Sequence, residues 1–147
     1  MIQAAKKIGY NPRWVTQSDM TDGAWIAGFK DVSNGIVAAT KVAALSGTDP
    51  DVQAFVKAFT AATGKAPTMW NAVGYVQSLI TIEALKNAPA LTRDCLEYSL
   101  QHMNGFKTGL IPPVTFSATS RQGTSAVGVG EIKNGVVEQV APFLPVS

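Results

Sequence analysis

The chain has 147 residues, 46% of them hydrophobic and 15% charged, which suits one folded domain with a buried core and excludes a disordered chain. A net charge of +2, with Lys6–Lys7 as the only adjacent basic pair, leaves no footprint for a nucleic-acid partner. The single cysteine, Cys95, allows no intrachain disulfide, and the single histidine, His102, supplies too few ligands for a His/Cys metal site.

Residues 2–8 read as the tail of a helix, with Ala4, Ala5 and Ile8 on one face and Gly9 as its stop. The start is no signal peptide, because Lys6 and Lys7 interrupt the apolar stretch and no long apolar region follows. Asn11-Pro12 makes a turn, and Trp14-Val15-Thr16 reads as a short strand. Helix, turn and strand in that order are half of a βαβ unit, so the reading expects a fold entered part-way through. Gln17-Ser18-Asp19 forms a polar loop at the strand's end, and Asp22 can cap a short helix carrying Trp25, Ile26 and Phe29. Asn34-Gly35 is a turn. Residues 35–40 form an unbroken small and apolar run, as expected of a strand covered on both faces.

Asp49 before Pro50 is an N-cap followed by proline at the first helical position. Val52, Phe55, Val56 and Phe59 follow at helical spacing, and Gly64 closes the helix. Pro67 opens a longer helix, with Met69, Val73, Val76, Ile80 and Leu85 on its buried side. Thr92 caps a third helix, with Leu96, Leu100 and Met103 facing inward and Gly105 as its stop. No stretch reaches the ~18 apolar residues of a membrane-spanning helix. From Gly109 the period changes. Residues 113–116 read as a short strand, residues 117–124 as a polar loop, and residues 126–132 and 136–140 as a hairpin joined through Lys133-Asn134-Gly135. Strands alternating with helices place the chain in the α/β class, with a mostly parallel sheet, flanking helices and a C-terminal β-hairpin.

Reactive constellations are weak. Cys95 and His102 stand seven positions apart. They share a helix face but are separated by roughly 10 Å of rise, too far for a nucleophile–base pair. Asp19 and Asp22 could form a carboxylate pair, or serve as a loop acid and a helix cap. Gly128-Val-Gly130 lies inside a strand pattern, where close packing or a bend explains it better than a nucleotide loop does. Trp70 sits at the edge of the long helix's apolar stripe. It can belong to the core, or face a cleft and stack on a ligand.

Taken in order, several segments resemble one family. Residues 49–59, Thr63-Gly-Lys-Ala-Pro67, Ala72-Val-Gly-Tyr75 and residues 79–85 are similar to the C-terminal region of type I periplasmic solute-binding proteins of branched-chain amino acid ABC transporters. Residues 4–12, residues 109–116 and Arg121-Gln-Gly123 with the hairpin extend the likeness over nearly the whole chain. The resemblance implies a two-lobed fold with a ligand cleft between lobes that close by a hinge. Residues 1–44 would belong to the second lobe, residues 45–119 would return to the first, and residues 120–147 would run back to the second. It places Gln17, Ser18 and Asp19 at the cleft from the second lobe, and Thr68 and Trp70 from the first. Many relatives that bind amino acids carry an acid at one position of the second-lobe loop to pair with the ligand's ammonium group; an ungapped comparison puts Ser18 at that position, with Asp19 beside it.

The implied function is a non-enzymatic, exported, periplasmic receptor that delivers an amino acid, amide or aromatic acid to an ABC permease, with no cofactor and no metal. A ligand-sensing regulatory domain on the same scaffold is the alternative. The reading also expects exposed sheet edges and apolar helix faces to need a partner, either the upstream portion of a longer protein or a second copy of the chain.

Overall fold

A computed structural model describes residues 1–29 and 32–146. Residues 30, 31 and 147, which fall within the expected second-lobe segments, lie outside the described residues. The elements in chain order are α1 (Ile2–Lys7), β1 (Val15–Thr16), a 3-10 turn (Ser18–Thr21), α2 (Gly23–Phe29) and β2 (Val37–Thr40). There follow α3 (Pro50–Thr63), α4 (Met69–Asn87), α5 (Arg93–Gln101), β3 (Ala126–Lys133) and β4 (Val136–Pro145). Among the described residues, no helix is long and apolar enough to cross a membrane.

The four strands form one sheet in the order β1-β2-β3-β4. The parallel pairing expected from strand–helix alternation occurs between β1 and β2, with Val15 opposite Val37. β3 then joins β2 antiparallel and β4 completes the expected hairpin, so two of the three pairings among the described residues are antiparallel and the sheet is not mostly parallel as expected. The hairpin turn is Asn134-Gly135, with φ of 50° and 83°. Two successive left-handed residues are what a two-residue turn needs to match strand twist.

β2 and β3 approach closely because β3 carries glycines where its neighbours project. Thr40 lies opposite Gly128, and a Cβ on Gly128 would overlap the Thr40 hydroxyl. A Cβ on Gly130 would come within 2.7 Å of Val137 Cγ1 and 3.1 Å of Thr40 Cγ2. Register shifts between Val127 and Gly130 add a bulge at the same place. The glycine pair is therefore a packing device, with a bend beside it.

The helix starts at Asp49 and Thr92 and the stop at Gly64 hold, α5 ends at Gln101 so that Met103 and Gly105 lie beyond it, and two further corrections follow. The Asp49 side chain accepts from Asp51 N–H at 2.9 Å and Val52 N–H at 3.3 Å, Pro50 begins α3, and Gly64 ends it in the left-handed region. Asp49→Ala is expected to cost about 1 kcal/mol of unfolding free energy in a urea titration, while Asp49→Asn retains most of it. Thr92 likewise caps α5, its hydroxyl accepting from Cys95 N–H at 3.3 Å. The first correction is at α4. The helix begins at Met69, not Pro67, because Thr68 and Asn71 form a capping box: Asn71 N–H donates to Thr68 Oγ1, and Thr68 N–H to Asn71 Oδ1. Its buried face runs through Met69, Ala72, Val76 and Ala84, and Leu85 turns outward at 40% exposure.

The second correction concerns residues 113–116, which form no strand. Val114 makes one isolated antiparallel bridge with Phe106, Thr115 N–H donates to the Gly123 carbonyl, and Phe116 N–H donates to the Met103 carbonyl. Three neighbours satisfy this stretch, so no ladder can propagate.

Among the described residues, apolar burial divides into three clusters. Ile26, Ile36 and Ile132 are packed by Ile2, Trp14, Trp25 and Val137 around the sheet. Val42, Val52, Phe55, Met69, Ala72, Val76 and Leu110 join α3 to the start of α4. Ala84, Met103 and Val114 gather Leu96, Leu100, Phe106 and Phe116 at the far end of α4.

Candidate functional site

Parallel pairing of β1 and β2 brings their carboxyl ends side by side. β1 leads into Gln17 and the 3-10 turn, and β2 leads into Lys41. Ligands of open α/β sheets bind beyond such strand ends. The Thr21 hydroxyl donates to the Ser18 carbonyl and approaches Met69 Sδ at 3.4 Å, so the turn is seated against the first residue of α4.

On this base three side chains from three elements meet. Lys41 Nζ donates to Asp19 Oδ1 at 3.2 Å and lies 4.5 Å from the centre of the Trp70 ring. Asp19 also accepts from Ser18 Oγ at 3.4 Å and from Gln17 Nε2 at 3.3 Å. Gln17, Ser18 and Asp19 thus act as one hydrogen-bonded group, and Lys41 connects it to Trp70. The cluster faces water: Trp70 is 49% exposed, and the Asp19 and Lys41 side chains are similarly open. At that exposure the ion pair contributes about 0.2–1 kcal/mol and the cation–π contact about 0.5–1 kcal/mol. These are small enough for an arriving polar group to rearrange them.

Thr68 holds a different place. Its hydroxyl is engaged with Asn71 at the α4 cap, and the residue lies on the wall of a half-open cavity of about 180 Å³. Thr21 and Ile26, the connection from Val42 to Leu45, and the hairpin turn form the remaining walls. Thr40 borders the same cavity, and its Oγ1 is buried and without a hydrogen-bond partner among the described residues. The cavity and the Asp19–Lys41–Trp70 cluster therefore stand on the same elements, at neighbouring residues of alternating burial.

Asp22, His102 and Glu97 have structural partners. Asp22 Oδ1 accepts from Ala24 N–H at 3.0 Å, as a cap of α2. His102 ends α5, with Nδ1 2.8 Å from the Tyr98 carbonyl and its ring against Tyr98. Glu97 pairs with Arg121 at 2.8 Å, and the guanidinium holds its carboxyl below the ordinary value.

The profile described as Periplasmic binding protein matches residues 1–136. The chain belongs to the periplasmic binding protein family. Solved structures of similar fold include a possible leucine/isoleucine/valine-binding protein from Rhodopirellula baltica, with a TM-score of 0.84 at 23% identity over 95% of this chain and 38% of that one. A branched-chain amino acid ABC transporter protein from Thermus thermophilus with bound valine has a TM-score of 0.80 at 19% identity, covering 99% of this chain and 42% of that one. A fatty acid ABC transporter substrate-binding protein from Thermomonospora curvata has a TM-score of 0.83 at 19% identity, covering 98% and 39%. This family member spans about two fifths of the length of the solved structures it matches. No curated protein matches it.

Lys41 is the member of this candidate cluster that the sequence did not reveal. It is an isolated lysine just past a strand, and only the pairing of β2 with β1 brings it to Asp19, 22 positions away in the chain. The lone signal was its position at a strand's carboxyl end.

Proposed function

We propose that the chain is part of a two-lobed periplasmic receptor that captures a small organic solute and delivers it to an ABC permease. The solute is an amino acid, an amide or an aromatic acid, held by burial and directed hydrogen bonds without a covalent step. The observation that carries this reading is the meeting of Asp19, Lys41 and Trp70 at the carboxyl ends of two parallel strands, in a chain whose family profile spans residues 1–136. Gln17, Ser18 and Asp19 serve the cleft from the second lobe, and Thr68 and Trp70 from the first.

Residues 1–44 and 120–147 belong to the second lobe, and residues 45–119 to the first. Support comes from the buried clusters. The one around Ile26, Ile36 and Ile132 draws only on the first group of residues, and the one around Ala84, Met103 and Val114 only on the second. The cluster joining α3 to α4 reaches across through Val42 at the boundary. The rest of the first lobe is supplied by an upstream portion of the receptor, or by a second copy of the chain. Coverage of about two fifths of the matched structures supports the upstream source. Ligand closes the lobes about a hinge.

A thermal-shift screen of amino acids, amides and aromatic acids on the intact receptor tests this reading. A ligand that favours the folded state raises its melting temperature. At least one member should raise it by ~2 °C or more, and Trp70→Ala should remove the shift. No shift across the panel contradicts the reading.

A further inference from the structure

We infer that Lys41 fixes the ligand class, so that the site takes a small carboxylate lacking an α-ammonium group. This inference rests on the receptor reading above and narrows it. An ammonium-bearing ligand needs a free carboxylate and gains from an open aromatic face. At this end of the sheet both already face the protein's own cation, which an arriving ammonium would have to displace. Asp19 accepts from Lys41 Nζ at 3.2 Å, and the same nitrogen stands 4.5 Å from the centre of the Trp70 ring. The nearby acid, Asp22, is committed to the N–H of Ala24. A second ammonium arriving here would meet Lys41 as a like charge.

A carboxylate meets Lys41 as an opposite charge, with Asp19 as the one like charge beside it. A lysine ammonium carries three donors and no acceptor. Lys41 uses one on Asp19 and keeps its side chain 47% exposed, so donors remain to be taken by an incoming anion. Asp19 holds the ammonium in place, and Gln17 and Ser18 hold Asp19. Trp70 offers an apolar surface next to the charge for the ligand's hydrocarbon part.

The test uses matched pairs that differ only at C2: leucine against 4-methyl-2-oxopentanoate, and phenylalanine against phenylpyruvate. Each is titrated calorimetrically into the intact receptor and into its Lys41→Met and Lys41→Arg variants, whose folding is checked by circular dichroism. The oxo acids should bind about tenfold tighter than their amino acids. Lys41→Met should weaken oxo-acid binding about tenfold and erase the preference, and Lys41→Arg should keep it. The inference is overturned if the amino acids bind as tightly as the oxo acids, or if Lys41→Met leaves the preference intact. It is also overturned if neither pair binds while an amino acid or amide in the thermal screen does; the receptor reading then stands. If nothing in either experiment binds, both fall.

Discussion

Leu110→Ala is expected to destabilise the protein by about 2–5 kcal/mol. The side chain is 1% exposed and belongs to the cluster of Val42, Val52, Phe55, Met69, Ala72 and Val76. Its carbonyl accepts from Ala43 N–H at 2.8 Å, so its backbone is tied to the connection leaving β2. Truncation leaves a void between that connection, α3 and the first turn of α4. Those elements seat Lys41 and Trp70, so the loss reaches the site as well as stability. The measurement is urea unfolding, with the midpoint falling and the slope unchanged. A loss below about 1 kcal/mol would mean that neighbouring side chains collapse into the space.

Gly128→Ala should cost about 1–3 kcal/mol, an unusual amount for one methyl group on a strand. The new Cβ overlaps the hydroxyl of Thr40. Beyond that oxygen its nearest neighbours are Phe143 Cε1 at 3.4 Å and Thr40 Cβ at 3.5 Å, both ordinary contacts. Removing the oxygen should therefore relieve the strain. Thr40→Ala combined with Gly128→Ala is expected to be more stable than the sum of the single changes allows, by more than about 0.5 kcal/mol. Strict additivity in the double-mutant cycle would refute the clash. Thr40 immediately precedes Lys41, so a displaced β2 end should also weaken ligand binding in the single variant.

Elements marked by local chemistry could be read from the sequence. Asp49-Pro50, Gly64 and Thr92 satisfy orphan backbone groups within one turn, and Asn134-Gly135 supplies the left-handed residues its turn requires. One error arises where distant partners decide, and the other where a local capping box competes with a proline signal. The segment around Val114 is β-rich in composition, yet its backbone bonds go to Phe106, Met103 and Gly123. The start of α4 depends on Thr68 and Asn71 exchanging bonds, which outweighs the proline signal at Pro67.

The site follows the same division. Asp19 could be named because it follows a strand, and Trp70 because it opens a helix at the edge of an apolar stripe. Lys41, which joins them, needed the sheet register to be visible. The hydroxyl of Thr68, read as part of the cleft, is engaged at the helix cap, while the residue itself borders the cavity.

The most direct test of the central claim is a crystal structure of the intact receptor with the tightest solute from the thermal screen. The account predicts that solute between Lys41 and Trp70, with a polar atom in hydrogen-bond range of Lys41 Nζ. Ligand density that touches neither residue would contradict it.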